Sequence, residues 1–382
     1  MEKIFQLITS VQLGGAEMVA FDLAEHCKRV GAIGADITVV ELFSTRNQYA
    51  LAKKKELEAK GIRVVTLFRG SKRMSLLIDP FMLVYYLRKE KPAVIHSHTD
   101  LPDFVLSVVI RLSRLMGIRV PGIVRTIHNT QLWRSHYQMG KFTEKAFKNE
   151  CVVAVSSYAM TAYEQLRKKY DLSISDNRQI IYNGRLVPEK RPHPFVIDKG
   201  RINVAFCGRF EDYKGMETLL PTVREIQRRY PGGFTFHIIG DGTYRKQLEQ
   251  LTREEPDVFL YDPLPNVSTL FHAFDYIFMP SHFEGLTLIS IESSFAGVPV
   301  IASFAPGLDE TLPENWPLKF HLDRVEELYE IFDKVYKHQY DRESLKTKAL
   351  DFVGRKFSLS KMIHSYILLY QKLILNRASS IN

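Results

Sequence analysis

At 382 residues, with 45% hydrophobic and 25% charged side chains, the chain exceeds what one hydrophobic core usually serves, so two domains are expected. No apolar run reaches the roughly 18 residues of a membrane helix, and MEKIFQLITSV is too short in its apolar core for a secretory signal, so it reads as the first strand of a cytoplasmic protein. The net charge of +9 is uneven: residues 1–195 hold 30 Lys and Arg against 18 Asp and Glu, and residues 196–382 hold 22 against 25. No nucleic-acid motif accompanies the excess, so nucleic acid is not an expected partner.

In chain order, KIFQLITS, ADITVVEL, IRVVTLF, AVIHS, GIVRTIH and CVVAVS read as strands of a first domain. INVAFCG, FTFHIIG, VFLYD, DYIFMP and PVIAS read as strands of a second. Amphipathic stretches such as GAEMVAFDLAEHCKRVG and GMETLLPTVREIQRRYPGG separate them. Nearly continuous apolar strands with helical crossovers predict parallel sheets covered on both faces, an α/β chain of two doubly wound, Rossmann-like domains. The spacing places the first domain at residues 1–183, a linker rich in proline (Pro188, Pro192, Pro194) at 184–200, and the second domain at 201–357. The last apolar pattern predicts a terminal helix over 358–378 that must dock its apolar face. Cys27, Cys151 and Cys207 are far apart and read as reduced, structural thiols.

The basic excess peaks in KKKELEAKGIRVVTLFRGSKR, residues 53–73, with eight basic and two acidic residues. This is either a solvated helix face running into a strand or a surface for anionic lipid headgroups or an acidic acceptor.

Ligands of open parallel sheets bind beyond the carboxyl ends of the strands, where helix N-termini point at them. Four such junctions carry chemistry. In SVQLGGAE, Gly14 and Gly15 allow close backbone approach to an anion, though the full dinucleotide fingerprint is lacking. His96, His98 and His128 lie at strand ends. The first two point to one face, which would suit a metal, but no third and fourth ligand is apparent; His128 is the better partner for a polar substrate. In CGRFEDYKGME, Arg209 and Lys214 stand at the mouth of a helix as a cationic clamp for a pyrophosphate. In SHFEGLTLISIES, Glu284 lies in the loop and Glu292 about two turns into the helix, with free N–H groups near Leu286 and Thr287 between them and Gly285 a further candidate for donor binding. Acceptors on both sides of an anion site suit a nucleotide sugar better than an acid and base acting on one bond.

This order of GGAE, His-bearing strand end, GRxxxxKG and paired glutamates followed by GVPVIAS resembles the family 4 glycosyltransferases of the GT-B fold, over nearly the whole chain. The resemblance implies a retaining, metal-independent hexosyl transfer in a cleft between the domains. It assigns Arg209 and Lys214 to the diphosphate, Glu292 to the ribose hydroxyls, and Glu284 to the donor sugar. It also places Gly15 beside the diphosphate and His128 against the donor sugar. No Asp-x-Asp motif occurs, so no metal or other cofactor is expected. Thr287, the SSFAG that follows Glu292, and DETLPENWPLKFHLD depart from the usual family pattern.

On the acceptor side, His98, Trp133, His136 and Tyr137 are the candidates, the aromatic residues either stacking on a sugar or packing inward. The expected partners are a nucleotide sugar, UDP-linked first and GDP-mannose second, and a glycan or lipid-linked acceptor of envelope polysaccharide or lipopolysaccharide synthesis, with peripheral contact to the inner membrane face. Three alternatives stay open: a UDP-sugar 2-epimerase of similar fold, a non-catalytic binding subunit, and a hydrolase with a metal on His96 and His98.

Overall fold

Strands and helices alternate through the computed structural model, which describes residues 2–29, 35–45, 47–134, 136–148 and 150–379. The chain divides into two units, one of residues 1–183 with everything from Ser360 onward, the other of residues 184–359.

In the N-terminal unit the strands are β1 (Glu2–Ile8), β2 (Ala35–Phe43), β3 (Arg63–Phe68), β4 (Val94–His98), β5 (Gly122–Ile127), β6 (Cys151–Ala154) and β7 (Arg178–Ile180). They form one parallel sheet in the order β3-β2-β1-β4-β5-β6-β7. The helices α1 (Gly15–Arg29), α2 (Gln48–Ala59), α3 (Lys72–Glu90), α4 (Asp100–Leu115), α5 (Tyr137–Glu144) and α6 (Ser157–Lys169) connect them. The order reverses between β1 and β4, so their carboxyl ends open a crevice at the top of this sheet.

The C-terminal unit repeats the plan with β8 (Ile202–Arg209), α7 (Met216–Arg229), β9 (Phe234–Asp241), α8 (Arg245–Glu254), β10 (Val258–Tyr261), β11 (Tyr276–Met279), α9 (Leu288–Phe295), β12 (Val300–Ser303), β13 (Lys319–Phe320), α10 (Val325–Tyr336) and α11 (Arg342–Lys356). Its sheet runs β10-β9-β8-β11-β12-β13, all parallel, and reverses between β8 and β11. Residues 184–200 form no helix or extended strand. Even so, Phe195 is buried in this unit's core against Phe274, Tyr261 and His237.

Helix α12 (Leu359–Ser379) belongs to the N-terminal unit, where Tyr366 and Tyr370 are completely buried. Among the described residues, no helix is long and apolar enough to cross a membrane.

One buried acid disturbs the otherwise apolar packing under α3. Asp79 is wholly inaccessible, accepts one hydrogen bond from Ser75 Oγ, and has a second oxygen without a partner. Burial pushes its carboxyl from 3.8 up to about 7. The folded state therefore holds a proton that the unfolded chain has released, and stability falls as pH rises from about 4 to about 7, then levels off. Asp79→Asn cannot ionise, so it should gain on the wild type by about 1.4 kcal/mol per pH unit across that window. Urea unfolding at about pH 5 and about pH 8 checks this, and a stability difference that does not change with pH would disprove it.

Candidate functional site

At the reversal point of the C-terminal sheet, β8 ends on Arg209 and its neighbour β11 ends just before Pro280. A single helical turn, Asp212–Lys214, follows β8 and closes on Gly215 at φ +74°. A Cβ there would overlap the Pro280 carbonyl, so only glycine lets this turn press against the end of β11. The close approach brings Lys214 to Glu284, Nζ to Oε1 2.6 Å, although 70 positions separate them. Ser281 Oγ donates to the same carboxylate oxygen at 2.9 Å. Arg209 and Lys214 both lie over the ring of Tyr213, at 5.5 and 5.6 Å from its centroid, and Tyr213 stacks on Phe283 at 5.3 Å. Two cations are thus held on one aromatic platform beside one carboxylate.

The loop carrying Glu284 is fixed from behind. Glu284 N–H donates to Pro306 O at 2.8 Å, and a Cβ on Gly307, at φ +75°, would overlap the Glu284 carbonyl. Helix α9 begins at Leu288 with Thr287 as its N-cap, and the Thr287 N–H points at Gly307 O, 3.4 Å away. The first-turn N–H groups that lack a partner within the helix are therefore those of Leu288, Ile289 and Ser290, and Leu286 and Thr287 lie just ahead of them. Gly285 lies in the loop just ahead. One turn further along α9, Glu292 faces Arg185, with Nε 2.9 Å from Oε1. Arg185 is nine-tenths buried, so its guanidinium is a fixed neighbour that orients the Glu292 carboxylate.

In the N-terminal unit the reversal point carries histidines. The His96 and His98 rings lie 4.0 Å apart between centroids, tilted by 33°, and His98 meets His128 with Nδ1 to Nε2 3.0 Å. The hydrogen bonds around them have one consistent direction. Gln6 Nε2 donates to Tyr370 Oη at 2.9 Å, so Gln6 Oε1 is an acceptor and takes the proton of His98 Nε2 at 2.8 Å. His98 Nδ1 must then accept from His128 Nε2, which leaves His128 Nδ1 as a bare acceptor at the strand end. Tyr370 in turn gives its own proton to His96 Nδ1 at 2.6 Å, and His96 Nε2 donates to Thr126 Oγ1 at 2.6 Å. Neutral rings are required throughout, and burial supplies them: it pushes His128 down to about 3 and holds His96 and His98 well below 6.5. The α1 N-terminus is less open than its glycines suggest, since the Glu17 carboxylate lies against Gly14 and accepts from Gln12 at 2.9 Å.

A family model described as "Glycosyltransferase Family 4" matches residues 13–185, and one described as "Glycosyl transferases group 1" matches residues 201–337. The chain belongs to the family 4 glycosyltransferases. This glycosyltransferase is similar to the uncharacterized 41.2 kDa protein in the cps region of Klebsiella pneumoniae, at 25% identity over 80% of this chain and 87% of that one. Its fold is the GT-B fold of Anabaena HepE in complex with UDP-glucose, with a TM-score of 0.77, 18% identity and 100% of both chains covered. The lipopolysaccharide outer core galactosyltransferase WaaB matches at a TM-score of 0.67 and 16% identity, over 97% of this chain and 100% of that one.

Several expected contacts of this glycosyltransferase fall elsewhere. His98 cannot reach an acceptor: it is fully buried, and both ring nitrogens are spent on His128 and Gln6. Trp133 also turns inward, packed with Leu166 and Tyr170 at 5% exposure. His136 and Tyr137 stay exposed at the start of α5, Tyr137 edge-on to Tyr170 at 5.0 Å. Much of the basic run is neutralised within the fold. Lys53 and Lys60 pair with Glu25 and Glu56, Lys54 with the buried Glu41, and Arg63 with Glu90. Among the described residues, no group of three His, Cys, Asp or Glu is arranged so that it could hold a metal ion.

Proposed function

We propose that the enzyme moves a hexose-type sugar from a UDP-sugar to a glycan or lipid-linked acceptor of cell-envelope polysaccharide or lipopolysaccharide synthesis, with retention at the anomeric carbon and without a metal ion. The observation that carries this is the pairing of Arg209 and Lys214 across Tyr213, with Glu284 2.6 Å from Lys214, at the reversal point of the C-terminal sheet. Breaking a glycosidic bond to a nucleotide leaves charge on the diphosphate. Fixed cations at that place do the work that other transferases assign to a metal. In the free enzyme Glu284 holds the Lys214 ammonium. When diphosphate takes over that ammonium, the carboxylate is released to accept a sugar hydroxyl. The first-turn N–H groups of α9 face the same anion, and Glu292, held by Arg185, accepts from the ribose hydroxyls. In the other unit, the free Nδ1 of His128 is suited to accept from a sugar hydroxyl. The UDP-glucose bound in the HepE structure supports a UDP-sugar and the galactosyl transfer named for WaaB a hexose, with GDP-mannose as the second choice of donor.

Calorimetric titration of UDP and of GDP in the presence of EDTA tests the reading. UDP should bind and GDP should bind more weakly. Binding that EDTA abolishes would overturn the metal-free part, and silence from both nucleotides would overturn the donor site. A product formed from UDP-sugar with no acceptor present would instead identify an epimerase.

A further inference from the structure

Helix α3 buries one side on the N-terminal sheet through Leu83, Val84 and Leu87, yet its opposite side is also apolar. Met74, Leu77, Phe81 and Tyr85 are 47%, 66%, 65% and 52% exposed. Their spacing of three, four and four residues puts them within an arc of about 80° and along about 16 Å of helix. Exposed cations bracket the stripe, Lys72 and Arg73 at one end and Arg88, Lys89 and Lys91 at the other. The only acids between residues 71 and 91 are turned away from it: Asp79 is buried, and Glu90 is engaged by Lys3 and Arg63. Next to the basic end, Leu115 and Met116 at the close of α4 are 84% and 49% exposed, and Met116 shares a shallow depression with Arg88 and Lys91.

We propose that this face of α3 is a docking surface for an anionic lipid bilayer, the helix lying flat with Leu77 and Phe81 in the headgroup boundary and the flanking cations among lipid phosphates. An apolar stripe with cations at both ends and no exposed acid complements such a surface in both its parts. The basic run at 53–63 is not the contact, because all of its cations except Lys55 are answered by Glu25, Glu41, Glu56 and Glu90 within the fold. The inference is independent of the donor site, which lies in the other unit.

The test is co-sedimentation of the full chain with phosphatidylcholine vesicles, with and without phosphatidylglycerol. The wild type should partition onto the anionic vesicles only, and added salt should weaken this without abolishing it. Leu77→Ser with Phe81→Ser should lower the partition coefficient at least tenfold. Arg88→Gln and Lys89→Gln should each lower it about fivefold, the factor that corresponds to one cation near such a surface. Lys53→Gln should leave it unchanged. These side chains are exposed, so near-ultraviolet circular dichroism should confirm an intact fold in each variant. Equal partitioning of wild type and the Leu77/Phe81 double variant would overturn the proposal. So would a lipid-free dimer that the double variant dissolves and that vesicles do not compete with, since the face would then belong to a second copy.

Discussion

Lys214→Ala should lower kcat/KM by about 10²- to 10³-fold, the loss seen when one preorganised group is removed from a site of developing charge. The residue sits 2.6 Å from Glu284 and over Tyr213, so its ammonium is placed before any ligand arrives and needs little reorganisation. UDP affinity should fall as well, by about 1.5–3 kcal/mol, the range for hydrogen bonds to charged groups. Glu284→Gln separates the two roles: it keeps an acceptor oxygen but loses the charge, and should impair transfer more than UDP binding. The two substitutions should be non-additive, because each leaves the other's partner unpaired. Wild-type UDP affinity in Lys214→Ala would remove the clamp from the mechanism.

Arg125→Leu should cost about 3–5 kcal/mol of folding stability, the penalty for breaking a buried ion-pair cluster from one side. Arg125 is 1% exposed on β5 and donates to Asp103 at 3.0 and 2.8 Å and to Glu144 at 3.1 and 2.6 Å. It also lies 3.5 Å from Glu150, and its guanidinium rests on the face of Phe147 at 4.0 Å. Against the desolvation that pushes its carboxyl up, Arg125 and Arg167 hold Glu144 below the usual carboxylate range. With leucine in place only Arg167 remains for Glu144 and Glu150, and Asp103 loses its cation. Burial already raises the Asp103 and Glu150 carboxyls in the folded state, and losing Arg125 raises them further, so protonation at low pH relieves the variant. Its deficit in urea unfolding should be smaller at about pH 5 than at about pH 8. A loss under about 1 kcal/mol would show the cluster to be dispensable.

The long strands were legible because a parallel strand buried on both faces reads as an uninterrupted apolar run. Edge strands β7 and β13, three and two residues long, are too short to show any period. The donor-site residues were legible one by one, since each follows a strand and opens a helix. Their convergence was not, because it depends on β8 pairing with β11, which brings together Lys214 and Glu284 from 70 positions apart. Gln6 lies hidden inside an apolar strand, and Arg185 directly follows Tyr182, Asn183 and Gly184 at the start of the proline-containing linker; nothing local marks either as the partner of a functional side chain. Trp133 illustrates the opposite error. An aromatic residue near a site looks the same in sequence whether it faces a ligand or, as here, Tyr170 and Leu166 on a helix some thirty positions away. The lysines of 53–60 looked unopposed for a similar reason, since Glu25 and Glu41 come from distant elements.

The composition of the N-terminal unit also fixes an order of events during synthesis. Its core includes Met362, Ile363, Tyr366 and Tyr370, and Tyr370 is the hydroxyl to which Gln6, the sixth residue, donates. The intervening unit, residues 184–359, is continuous in the chain. A nascent polypeptide can therefore finish the second unit while the first still lacks α12, and the histidine network waits for residues made only after that whole unit.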